Sequence, residues 1–406
     1  MVSFLLEKTR LAGSIMNQQD QRLTNLYKLV TDYTSVEHEK LLPSPESNSL
    51  QWFKSFKYLN PVSWAAGPQK IPYIAATTLI DAYSCLPRRP DMAFTYLWTA
   101  INNSYNDLFL RHNTTSGSLG DSKAIDNSIE LISEVINSRI NNKKTISEEY
   151  KSKTINEIVI EFAKRLPDKN LNFLSSYLLK GMAIKNHNAH QIQPPIRSIH
   201  ISSSYRTFAK RFELIHNHLY WNFSKKYSSI CSIKESTDKT SLNFGITKVF
   251  WDADKCIGIT GTNGNVTDEN GNVIGVDNKI ISRRITQAMS RELQRIIVDN
   301  PKLDLFDKNG NSVGKAFAFS SDIQRLEFLI FNLLYASRNN NIHGNVASRI
   351  NSIFANKDTI TAATWNFLFG YFYLSLLLLC LNSINVDDLD VHLFNVELLK
   401  ITKKTV

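Results

Sequence analysis

Residues 320–345 read SSDIQRLEFLIFNLLYASRNNNIHGN, a capped and almost wholly apolar helix that runs into Arg338, three asparagines, Ile342, His343 and Gly344. Ser321 or Asp322 supplies the cap, because a short oxygen-bearing side chain satisfies an orphan backbone N–H of the first turn. The apolar surface that follows is too wide for a one-sided helix, so it has to be mostly buried. Asn and Gly are poor in helix interiors and good in bends, which predicts a kink here before the next apolar run at 361–384. The kink matters for chemistry. Five positions along a straight helix turn two side chains about 140° apart, so only a bend brings Arg338 and His343 to one side.

The apolar run contains WNFLFGYFYLSLLLLCL at 365–381, which is close to the lower length limit for a membrane span. It carries Asn366, Gly370 and Ser375 and lacks basic flanks, so a helix buried in a core or dimer interface is the expected reading, with a membrane anchor as the alternative.

Upstream, IPYIAATTLIDAYSCL reads as one helix closed by the PRRP turn at 87–90. The helix predicted at 91–111 places Phe94, Leu97, Trp98, Ile101, Tyr105 and Leu108 at steps of three and four. A second amphipathic helix is predicted at about 123–140, and 154–183 also looks helical, before loop-like text with a Pro-Pro break at 184–204. From 244 to 319 the writing becomes strand-like, with CIGIT and NVIGV among turn clusters, and 278–298 forms a basic helix inside it. The expected organisation is an N-terminal helical extension (1–60), a bundle in two separated parts (61–140 and 320–406), and an α+β insert with β-hairpins (141–319). The fold class is mainly α.

With 406 residues, 43% of them hydrophobic, the chain can bury a large core, which excludes the disordered and collagen-like classes. Lys and Arg exceed Asp and Glu by 47 to 37, a net charge of +10 that favours anionic partners, nucleic acid first. Cys85, Cys231, Cys256 and Cys380 lie far apart with no CxxC pair, so neither a disulfide framework nor a thiolate zinc site is implied. The apolar part of MVSFLLEKTRLAGS is too short for a secretory signal, and a cytoplasmic location is expected.

Arg supplies a permanent forked charge for a phosphate, and His exchanges protons near neutrality. RNA brings its own nucleophile, the 2′-OH, so a positioned acid and base with charge stabilisation suffice without a metal. One His per chain cannot easily fill both roles. A symmetric dimer would supply two of each residue.

The sequence R-N-x-x-x-H followed by Gly, at the end of a buried helix and before another, resembles the motif of HEPN ribonucleases. The helix text AFTYLWTAINNSYNDL is similar to the aromatic, Asn-bearing early helix of HEPN domains. The resemblance implies a helical bundle that dimerises and cuts RNA without metal or cofactor, leaving a 2′,3′-cyclic phosphate. It further implies that Arg338 contacts the scissile phosphate, that His343 is the general acid or base, and that Asn339 orients the motif. A toxin or antiviral role, restrained by an antitoxin or a trigger protein, follows from the same likeness, with the insert as sensor or substrate platform. A non-catalytic nucleotide- or protein-binding module is the alternative.

Other patterns are weaker. Arg211 and His216 repeat the spacing, but Phe212 replaces the polar second residue and no Gly follows. Arg283, Arg284 and Arg291 on the basic helix are candidates to track an RNA backbone, against the plainer reading of a solvated helix face. Asn102 and Asn103 are candidates to line the cleft. The histidines clustered at 187–218 have Glu213 as their only acidic company and no thiolate, and read as ordinary histidines, not zinc ligands. DENGN and DKNGN lack the Glu that closes a calcium loop and read as hairpin turns.

Overall fold

The structure is a computed structural model and describes residues 21, 24–26, 29–43, 48–67, 70–112, 120–135, 154–189, 201–228, 230–235, 242–244, 259–260, 265–267, 273–276, 278–342, 350–351 and 355–403. Its principal helices are α1 (Ser35–Leu41), α2 (Tyr73–Ser84), α3 (Pro90–His112), α4 (Asp121–Val135), α5 (Ile155–Lys164), α6 (Asp168–Ala189), α7 (Ser203–Arg211), α8 (Glu213–Leu219), α9 (Asn278–Asp299), α10 (Asp322–Leu329), α11 (Ala336–Ile342), α12 (Lys357–Cys380) and α13 (Asp390–Lys403). Short antiparallel strands pair β1 (Ile233–Glu235) with β2 (Leu242–Phe244). A second set runs β3 (Ile259–Thr260), β4 (Asn265–Thr267), β5 (Val273–Val276), and β6 (Lys302–Phe306) pairs with β7 (Ser312–Phe317). The chain is mainly α.

The described residues form two compact units, one drawn from Met1–Pro167 and Ser337–Val406 and the other from Asp168–Ala336. These boundaries differ from the expected ones. Segment 154–167 belongs with the first unit because Phe162 of α5 packs its ring against Phe369 and Phe372 of α12, at 5.3 and 5.7 Å between centroids. Segment 320–336 belongs with the second, where Phe328 meets Phe212 at 5.1 Å and Phe319 at 5.6 Å. The N-terminal stretch is more than an extension, since Trp52 is fully buried and the 3-10 helix Asn48–Ser55 packs on α13.

In the first unit α12 is the central helix, flanked by α3, α4 and α13, while α2 packs along α3 and reaches α12 through the Tyr83–Tyr371 hydroxyl bond at 2.7 Å. Gly370 sets the closest approach: a Cβ there would lie 3.1 Å from the side chains of Leu97 and Phe94. α12 is long and apolar enough to cross a membrane by length and composition, and 94% of its most apolar window is buried inside the unit. Its apolar residues point in every direction because protein surrounds it in every direction. Several of its polar groups find partners inside the unit, although the buried Thr364 hydroxyl finds none. Trp365 Nε1 donates to the Phe162 carbonyl (3.0 Å), Tyr373 and Ser128 share a hydroxyl bond (2.8 Å), and the Ser375 hydroxyl donates to the Tyr371 carbonyl (3.0 Å).

In the second unit α6 packs along α9, and α7, α8 and α10 close a separate core around Phe208, Phe212 and Phe328. Gly181 lies under the Tyr205 ring, where an added Cβ would sit 2.2 Å from a ring carbon. The cluster DKNGN is the β6–β7 turn. Asp307 Oδ1 accepts the backbone N–H groups of Asn309 and Asn311, both at 2.8 Å, and Gly310 takes φ 86° against Trp221. The DENGN cluster lies outside the described residues, between paired strands β4 and β5.

Candidate functional site

The helix that begins at Asp322 does not break at the asparagines. α11 runs through Arg338 and Asn339 to Ile342, which corrects the predicted kink. The irregularity sits just upstream, in the π-helical segment Ile330–Tyr335, whose six residues are all buried. A π-turn widens the helix and shifts the face on which Arg338 and Asn339 emerge, but it lies upstream of both Arg338 and His343 and so does not alter the angle between them. Ser321 does cap the start in extended backbone, although its side chain makes no capping bond.

Arg338 carries the site. Its Nη2 stands 3.2 Å from Asp121 Oδ2, and its Nη1 donates to Asn339 Oδ1 at 2.9 Å. The Arg338 side chain keeps 16% of its surface exposed and Asp121 30%, so the guanidinium is oriented yet still reached by solvent. Asp121 opens α4, where a carboxylate also complements the positive end of the helix. Beneath them lies Tyr105 of α3, fully buried. Burial raises its pKa, the Asp121 and Tyr373 oxygens raise it further, and the Arg338 charge opposes them. Its phenol therefore stays protonated across the working pH range, and its buried hydroxyl makes no hydrogen bond in the structure.

His343 and Gly344 lie outside the described residues, as do His190 and His200. Asn102 is partly buried and accepts the Asn106 amide at 2.6 Å on its own helix, and Asn103 is exposed; neither bonds to Arg338 or Asn339. Arg283, Arg284 and Arg291 belong to the second unit and are exposed on α9. Thus the first unit brings together Arg338, Asn339, Asp121 and Tyr105, and the expected RNA contacts divide between the units. Asp121 is the residue that sequence reasoning missed. An acid directly after Gly120 at a helix start was a signal for capping, but nothing in the text pairs it with an arginine beyond the entire second unit.

Arg211 and His216 are structural. They flank a helix break at Phe212; Arg211 pairs with Glu327 and lies 5.2 Å from the centre of the Phe331 ring. His216 is buried, bonds to the Tyr205 hydroxyl at 2.9 Å, and has its pKa lowered by burial. His218 bonds to Glu292 at 2.8 Å. Among the described residues no group of three or more His, Cys, Asp or Glu side chains is arranged to hold a metal ion.

The Arg338 guanidinium presents a part-exposed positive charge, anchored on Asn339 and Asp121, to an anionic group, and His343, five positions on in the sequence, is a residue type able to carry a proton. In comparisons with known proteins the chain matches no family model, no curated protein and no solved structure.

Proposed function

We propose that this chain is a HEPN-type endoribonuclease that cuts RNA by attack of the substrate 2′-OH, leaving a 2′,3′-cyclic phosphate, and acts as a cytoplasmic toxin or antiviral effector. The observation that carries the reading is the guanidinium of Arg338, aimed by Asp121 and Asn339 and part-exposed at the end of a buried helix. Arg338 binds the scissile phosphate and stabilises its developing charge, and His343 moves the proton. A homodimer supplies the second Arg and His, and an antitoxin or trigger protein restrains the activity.

The test is cleavage of total RNA by the purified protein in EDTA, followed by analysis of the ends. The expected result is a cyclic phosphate on the upstream product, with activity lost in His343→Ala and Arg338→Ala proteins that remain folded. Unchanged cleavage in His343→Ala would sink the reading.

One observation favours the second reading, a binding module that does not cut. The Arg338 charge is already answered by a carboxylate at 3.2 Å, as in a structural ion pair. On that reading RNA binds and stays intact.

A further inference from the structure

The second unit holds a polar cleft that the chemistry proposed for Arg338 and His343 does not use. Asp168, Leu171 and Asn172 of α6 line one side, and Gln287, Ser290, Arg291 and Gln294 of α9 line the other, around a space of about 230 Å³. That is just under the ~300–1,000 Å³ of pockets that take drug-sized ligands, and it suits a group about as large as one nucleobase. The spacing explains the lining. Gln287, Arg291 and Gln294 recur at steps of four and three on one face of α9, and Asp168 and Asn172 at a step of four on α6.

The wall is rigid where the helices touch. The buried Ser290 hydroxyl meets Ser175 Oγ at 2.9 Å, the Thr286 carbonyl at 2.8 Å and Asn172 Oδ1 at 2.8 Å, so one edge of the Asn172 amide is fixed and the other remains for a ligand. Three carboxamides offer the paired donors and acceptors that match a base edge, which is how single-stranded bases are read. Asp168 accepts from an exocyclic amino group but repels a phosphate. Arg291 attracts one. Among the described residues Arg283, Arg284 and Arg291 are exposed and engage no carboxylate, whereas Arg295 on the same helix is held by Glu292 at 2.6 Å.

We infer that this cleft binds one nucleoside monophosphate unit, with the base among Asn172, Gln287 and Gln294 and the phosphate on Arg291. The unit arrives either as a free mononucleotide or as one residue of a single RNA strand. The inference does not rest on cleavage.

Binding to the full chain is measured with each of the four nucleoside monophosphates and, separately, with a 2′-O-methyl oligoribonucleotide, which has no nucleophile and cannot be cut by the proposed route. Saturable binding of a mononucleotide identifies the free ligand as a source, and binding of the oligomer alone identifies the strand. In either case Arg291→Gln and Gln287→Ala, both at exposed positions, weaken binding by at least about tenfold, and Lys308→Gln, exposed in the β6–β7 turn and outside the cleft, changes it little. Absence of binding by both probes overturns the inference. So does an equal loss in Lys308→Gln and Arg291→Gln, which attraction to positive charge alone would give, or an unaffected Gln287→Ala protein. Because no readout depends on strand scission, failure here leaves the Arg338 and His343 proposal standing, and failure of that proposal leaves this one.

Discussion

Arg338 and Asp121 face each other at 3.2 Å although the whole second unit separates them in the chain. Both belong to the first unit, so the pair ties the start of α4 to the first turn of α11. An ion pair of this partial exposure contributes about 1 kcal/mol, less than a buried pair and more than a fully solvated one. The double-mutant cycle Asp121→Asn with Arg338→Gln, read by urea denaturation, is expected to give a coupling of that size. A coupling indistinguishable from zero would mean that the carboxylate does not hold the guanidinium in solution.

Asn339 acts through Arg338. Its Oδ1 accepts Nη1 at 2.9 Å, so Asn339→Ala removes one of the two anchors that fix the fork. On the proposed cleavage activity, kcat falls about tenfold while KM moves less, because a loosened guanidinium binds RNA nearly as well but meets the transition state less often. Asn339→Asp keeps an acceptor in place and restores most of the rate. Equal rates for Asn339→Ala and the parent would remove Asn339 from the site.

These two residues mark the limit of what the sequence discloses. Helices α3 and α12 were legible, one from the three- and four-residue spacing of Phe94 to Leu108, the other from unbroken apolar text. That same text left open whether membrane or protein surrounds α12, since burial on all sides removes the periodicity that would tell. The run of asparagines predicted a bend that α11 does not make. Local propensity lost to the context of a long buried helix, and the irregularity moved into Ile330–Tyr335, whose composition gives no sign of a π-turn. Which core a segment joins was equally hidden. Phe162 and Phe328 look alike in the text, yet one packs on α12 and the other on Phe212. At the site, Arg338 and Asn339 were readable because they are adjacent. Asp121 was not, because its partner is defined only by the tertiary fold.

Gly181 and Gly370 both lie inside continuous helices, and they are expected to respond differently to Ala. In a free helix either change would be favourable by about 1 kcal/mol. At Gly370 the new methyl meets the flexible ends of Leu97 and Phe94 at 3.1 Å, which can yield, so Gly370→Ala stays near neutral. At Gly181 it meets the Tyr205 ring at 2.2 Å, and that ring is held by its hydroxyl bond to His216 at 2.9 Å. Gly181→Ala should therefore cost about 2–3 kcal/mol, in the range of overpacking. Chemical denaturation of the two variants checks the order, and a stabilised Gly181→Ala protein would show that α6 does not approach Tyr205 this closely.

His392 makes the stability of the first unit depend on acid. Ser375 donates its hydroxyl hydrogen to the Tyr371 carbonyl, so the contact at 2.8 Å requires His392 Nε2–H to donate to Ser375 Oγ. Nδ1 is then the bare nitrogen, buried and without a hydrogen-bond partner, between the rings of Tyr371 and Phe372 at 5.2 and 5.3 Å. Protonation would place an N–H there with nothing to accept it, and burial holds the pKa down at about 3. The unfolded chain takes up this proton near pH 6.5, and the folded chain does not. Stability from the neutral ring is therefore complete above about pH 6.5 and falls by about 1.4 kcal/mol per unit as the pH drops toward 3. Glu292 stays outside the upper part of this window. Burial opposes its ionisation, but hydrogen bonds from Arg295 and His218 outweigh it and hold the pKa at about 2, so its contribution is lost only below the usual carboxylate range. Between pH 6.5 and 4.5 the parent should lose about 2.3 kcal/mol more than His392→Gln, which cannot titrate and keeps a donor for Ser375. Parallel losses in the two proteins, measured by urea unfolding at both pH values, would show that this ring is protonated in the fold or reached by water.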